Sequence, residues 1–168
     1  MKKNNLRVGD RIVDSDQIYE IFKIEENKIF YKPLGNNGCT GSIPIGNLAQ
    51  ACIRPLMTKP EIKLFLENLS YEKPVEIPFS ASAKVNNGMF LKDILYLNNP
   101  DRTAKLLIHL SILKRDTEKL SYSDQAIFEQ SLNHLSEEIA LVTNNSVDQI
   151  REKILKKISS DGPETSDQ

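Results

Sequence analysis

The chain has 168 residues, 39 % of them apolar, and a net charge of -1: enough apolar mass for a core, and length for one domain or two small ones. The near-neutral balance gives no overall basic footprint, so any contact with nucleic acid must rest on a local patch. The lysine-rich start is no signal peptide, no apolar run approaches the ~20 residues that cross a membrane, and two isolated cysteines, Cys39 and Cys52, fall short of the paired ligands of a zinc site. A cytoplasmic protein with reduced thiols, no metal and no cofactor is expected.

Residues 6–14, LRVGDRIVD, combine β-branched side chains with a Gly9-Asp10 corner, as a first strand does where it bends. Residues 17–34 read as a hairpin: Ile18, Tyr19, Ile21, Phe22 and Ile24 run at strand density, Glu25-Glu26-Asn27 interrupts them, and Ile29, Phe30 and Tyr31 resume. Asn27 tolerates the left-handed conformation of a tight turn and is the natural corner. After the loop Gly35-Asn36-Asn37-Gly38 comes a short strand over 40–45, with Pro44 marking an edge or a strand end. Asn47 is placed to cap one helical turn through Gln50, and 51–56 reads as the last strand. Five short strands in about fifty residues predict a compact antiparallel barrel.

At Thr58 the period changes. Thr58-Lys59-Pro60-Glu61 sets a capping hydroxyl, an early proline and a carboxylate before Ile62, Phe65, Leu66 and Leu69, which predicts a helix of about three turns closing the first unit. Between 70 and 87 the pattern lapses around Pro74 and Pro78, the expected domain boundary. After a moderately periodic segment over 89–97, Asn99-Pro100-Asp101 opens a helix over 100–115 with a stripe of Leu106, Leu107, Leu110 and Leu113. Ser121-Tyr122-Ser123-Asp124 begins a longer one carrying Phe128, Leu132, Leu135, Ile139 and Val142. Ser146 with Gln149 caps a last helix with Ile150, Ile154 and Ile158. The polar stretch 159–168 reads as a disordered tail.

The fold class is therefore α+β, an N-terminal antiparallel β barrel followed by an all-helical domain, divided as 1–70, a linker over 71–87, 88–158 and the tail. Catalysis needs an acid, base or nucleophile with matched partners. The only histidines, His109 and His134, sit among helix-face residues, and Asp14-Ser15-Asp16 reads as a solvated turn rather than a calcium loop. Residues 35–41 lack the lysine of a phosphate loop. Glu137-Glu138 reads as a solubilising pair on a helix surface. No enzyme is predicted. For nucleic acid, Lys84 and Lys92 flank Asn86-Asn87-Gly88-Met89-Phe90, and Arg102, Lys105, Lys114 and Arg115 follow; basic side chains and an apolar wedge are the chemistry of phosphate and minor-groove contact.

The order LRVGDRIVD, the hairpin ending IFYKPL, SIPIGNL, and CIRPLMTKPEI leading into a helix resembles the RNA-polymerase-interacting domain of CarD-like (CdnL-type) transcription regulators, a module shared with transcription-repair coupling factors. The second half is similar to that family's helical domain, in the Asn99-Pro100-Asp101 turn and in LSYSDQAIFEQSLNHLSEEIALV with its Leu-x-x-Glu-Ile-Ala pattern. The resemblance spans about residues 6 to 155. It implies an SH3/Tudor-like barrel that docks on the β subunit of bacterial RNA polymerase, with a helical unit touching promoter DNA and modulating open-complex stability. Lys28, Tyr31, Thr40, Ser42, Ile43 and Pro44 are the expected polymerase contacts; Lys84, Asn86, Met89, Phe90, Lys92, Arg102 and Lys105 are the expected DNA contacts. The chain departs from the family at Ser42, where members carry a basic residue, and in having no tryptophan to wedge into the minor groove. The rival reading is an adaptor of the same fold that has lost DNA. A monomer is expected in either case.

Overall fold

The computed structural model describes residues 6–15, 17–35, 39–69 and 97–159. The expected linker over 71–87, the segment 88–96, the tail beyond 159, and Lys84, Asn86, Met89, Phe90 and Lys92 lie outside them. The chain forms two compact units: one runs to Leu56 and takes in Leu97 and Asn98, the other starts at Met57 and resumes at Asn99.

In the first unit, strands β1 (Arg11–Asp14), β2 (Gln17–Glu25), β3 (Lys28–Pro33), β4 (Gly41–Pro44) and β5 (Arg54–Pro55) form one antiparallel sheet in the order β4-β3-β2-β1-β5. The sheet curls into a half-barrel. Glu26 and Asn27 both take left-handed angles, φ 45° and 64°, the geometry of a two-residue hairpin turn whose twist matches its strands. The first strand starts later than its composition suggested. Gly9, at φ 92°, and the Asp10 carboxylate, which accepts the Arg7 N–H at 2.7 Å, turn the chain before β1 begins, while the Gly9 N–H and the Asp10 carbonyl bond to Ile21. Asn47, expected to cap a helical turn through Gln50, instead ends a 3-10 turn over Ile45–Asn47 that has no side-chain cap, and the last strand shortens from 51–56 to Arg54–Pro55.

One face of the sheet buries Ile12, Ile21 and Ile29 with Tyr31, Leu48 and Ile53. Asn98 returns to this unit from later in the chain. Its Nδ2 donates to the carbonyls of Val13 at 2.8 Å and Cys52 at 2.9 Å, and its own carbonyl accepts Arg54 Nε at 2.8 Å. Backbone oxygens at the β1–β5 end are thereby satisfied by a side chain rather than by another strand.

The second unit contains helices α1 (Lys59–Asn68), α2 (Pro100–Thr117), α3 (Tyr122–Thr143) and α4 (Val147–Ser159). The expected caps are made: the Thr58 hydroxyl accepts the Glu61 N–H while Glu61 reaches back to Thr58 N–H, Asn99 accepts from Arg102 N–H, and Ser121 from Asp124 N–H. Glu118 and Asn144 end α2 and α3 in left-handed conformations. Helix α1, expected to close the β unit, belongs to the helical core. Its Ile62, Phe65 and Leu66 join one cluster with Leu106, Leu107, Leu110, Leu132, Leu135, Ile139 and Ile154.

Glu138 corrects a second expectation. Glu137 is exposed, but Glu138 is 0 % exposed and its Oε1 accepts the buried Met57 N–H at 2.7 Å. The glutamate of the Leu-x-x-Glu-Ile-Ala pattern is thus an internal tie from α3 to the chain entering α1. Helices α3 and α4 are further joined by Arg151, which donates to Glu129 and Asn133. No described helix is long and apolar enough to cross a membrane.

Candidate protein-docking surface

The register of β3 against β4 decides which groups face outward. Lys28, Ile29, Phe30 and Tyr31 stand opposite Pro44, Ile43, Ser42 and Gly41. The Ile45 N–H donates to the Asn27 carbonyl at 2.7 Å, so that pair is hydrogen-bonded, and in an antiparallel ladder bonded and non-bonded pairs alternate. Ile43 and Gly41 therefore spend their backbone groups on β3. Ser42 and Pro44 hold theirs away from it, toward the free edge. Pro44 fits here because its missing N–H faces outward and no ladder bond is lost. Among the described residues nothing bonds the Ser42 N–H and carbonyl or the Pro44 carbonyl, the groups an added strand would use.

Side chains alternate with the same period. Ile43 and Tyr31 turn inward, with Tyr31 only 9 % exposed, while Ser42, Pro44 and Lys28 are exposed on the opposite face and Thr40 is exposed just before the strand. Two of the residues expected to touch a partner thus support the sheet from its core side. Tyr31 sits edge-on to Tyr19, ring centroids 5.2 Å apart, and donates its hydroxyl to Asp14 Oδ2 at 3.2 Å. Burial, with the charge and the hydrogen-bonded carboxylate of Asp14 and a smaller contribution from Tyr19, pushes its phenol up to about 12.

That value lies above the unfolded one near 10, so the stabilisation is complete below about pH 10 and is lost as the pH rises toward 12. Alkaline unfolding of the β unit, followed by circular dichroism, is expected to fall in that window. Tyr31→Phe is expected to flatten it by about 1–2 kcal/mol, a figure reduced for the partial solvent access of the hydroxyl.

The outer face carries residues that sequence periodicity did not single out. A register shift between Ile21 and Lys23 marks a β-bulge, and Phe22 at the bulge is 41 % exposed. Phe22 and Phe30 lie 6.4 Å apart between ring centroids, and Lys23 Nζ stands 5.5 Å from the Phe30 centroid. Lys23 pairs with Glu25 at 2.8 Å and Lys32 with Glu20 at 3.8 Å, and Lys28 stands exposed on the same face. Ser42 stands opposite Phe30 with too small a side chain to cover it. The one visible signal was the aromatic content of the hairpin; a bulge cannot be read from period alone.

In the helical unit, Arg102 and Lys105 are exposed one turn apart at the start of α2. His134 is buried on α3, and His109 is half-buried, its imidazole held below its ordinary value by burial against the opposing charge of Asp124. Among the described residues no three His, Cys, Asp or Glu side chains gather as a metal site would require.

Compared with protein-family models and with curated proteins, the sequence finds no match.

Proposed function

We propose that this protein is a bacterial transcription regulator that docks on the β subunit of RNA polymerase through the β4 edge of an SH3/Tudor-like half-barrel and acts in the cytoplasm without catalysing a reaction. The observation that carries the reading is the outward backbone of Ser42 and Pro44 beside the half-buried Phe30 and the exposed Phe22: main-chain groups supply affinity and the alternate side chains supply selectivity. The resemblance of residues 6–57 to the polymerase-interacting module supplies the identity of the partner. The helical unit, with Arg102 and Lys105 exposed on α2, is proposed to touch promoter DNA and so tune open-complex stability.

Two measurements test the two halves separately. Co-purification from the native host is expected to recover RNA polymerase with the parent chain and to lose it with Ser42→Pro, which removes the outward N–H but no ladder bond; equal recovery would reject the β4 edge. Gel-shift titration against bubble DNA is expected to show salt-sensitive binding that Arg102→Ala with Lys105→Ala weakens. Absence of binding at low salt would leave a docking adaptor and reject the DNA contact.

A further inference from the structure

The chain passes from the β unit to the helical unit between Asn98 and Asn99, with no residue between them. Asn98 is bonded into the sheet through Val13, Cys52 and Arg54. Asn99 caps α2, its side chain accepting the Arg102 N–H at 3.1 Å and its carbonyl the Thr103 N–H at 3.0 Å. We infer that Asn98 is a latch, opening and closing on the sheet as a two-state element, whose state sets the order of the first turn of α2. The latch needs only the sheet and the helix cap; its consequence for nucleic acid rests on the contact proposed above, since Arg102 and Lys105 stand at the start of that helix.

Three bonds favour the closed state: Nδ2 to the carbonyls of Val13 at 2.8 Å and Cys52 at 2.9 Å, and Arg54 Nε to the Asn98 carbonyl at 2.8 Å. The two carbonyl acceptors settle which side-chain atom is the nitrogen. Two features oppose closure. Among the described residues nothing donates to Asn98 Oδ1, although the residue is only 4 % exposed, and a buried acceptor without a donor offsets much of what the bonds contribute. Asn98 and Cys52 also both hold left-handed backbone, φ 50° and 55°, which asparagine tolerates and cysteine adopts only under strain. A closed state held by such opposing contributions has an open state within thermal reach.

Opening lets the Asn98 backbone leave the left-handed region. The adjacent Asn99 then loses the position from which its carbonyl and side chain meet the first turn. By linkage the coupling is reciprocal, so loosening the cap must loosen the latch.

Hydrogen exchange on the full chain, followed by NMR, tests this. The Arg54 Nε–H reports the latch, and the Arg102 and Thr103 N–H report the cap. Asn98→Gly, which accepts left-handed angles but has no side chain, is expected to speed exchange at Arg54 Nε and at Thr103 together by about tenfold, as the loss of its side-chain bonds implies. Asn99→Ala is expected to speed Arg54 Nε as well as Arg102. In the parent chain, the Arg54 and Thr103 hydrogens are expected to exchange through one opening, with the same dependence on low denaturant.

Asn98→Gly that speeds Arg54 alone, or Asn99→Ala that speeds Arg102 alone, overturns the inference and leaves ordinary fraying at two independent sites. If Asn98→Gly fails to fold, the parent chain and Asn99→Ala decide. Neither polymerase nor DNA enters these measurements. The latch can therefore fall while the docking and DNA readings stand, and the reverse.

Discussion

Glu138→Ala is expected to cost the helical unit about 3 kcal/mol, by leaving the Met57 N–H buried without an acceptor and opening a void among packed helices. For a unit of this size that corresponds to a fall of about 10 °C or more in its thermal midpoint. Glu138→Gln keeps a carbonyl oxygen within reach of Met57 and is expected to lose less than half as much. Calorimetry on the three chains checks the order. If alanine and glutamine were equally harmful, the Met57 bond would not be what matters. If alanine were neutral, the tie would contribute nothing, and α1 would be held by its apolar residues alone.

The second large effect is expected at Gly41. A Cβ there would sit 2.6 Å from Tyr31 Cζ and 2.7 Å from its Cε2 and hydroxyl oxygen, well inside contact distance. Tyr31 cannot simply swing aside, because Tyr19 meets it edge-on and Asp14 holds its hydroxyl. Gly41→Ala is expected to destabilise the sheet by about 1–3 kcal/mol through overpacking. It should also free the phenol, so that a tyrosine titrating near 12 in the parent moves down toward 10 in the variant. Absorbance titration reads that directly. An unchanged titration with unchanged stability would mean that β4 relaxes away from β3 at no cost. The docking edge would then be softer than its register implies.

These two sites show where sequence reading succeeds and where it stops. Local signals gave the helices well: capping groups at Thr58, Asn99, Ser121 and Ser146 act within a few residues, and each is followed by a helix. The hairpin turn at Asn27 was legible for the same reason, since the backbone preference belongs to the residue itself. Glu138 was not. Nothing in a Glu-Glu pair says which member faces inward, and its partner is a backbone N–H 81 positions away. The membership of α1 in the helical core was equally hidden, because an amphipathic stripe names a buried face without naming what buries it.

At the candidate surface, Ser42, Ile43 and Pro44 read alike as partner contacts although Ile43 turns inward, and the bulge at Phe22, which sets Lys23 opposite Phe30 on the outer face, has no signature in the period. Asn98, which completes the β1–β5 end of the sheet, comes from beyond the residues that pattern assigned to that unit.

Ser42 and Pro44 are proposed to carry the edge on which RNA polymerase docks. Amide hydrogen exchange on the intact chain, alone and with purified host polymerase, tests it most directly. The polymerase is expected to slow exchange at the Ser42 amide, while the Ile43 amide, already bonded to β3, changes little. Exchange at Ser42 that is the same with and without saturating polymerase would contradict it.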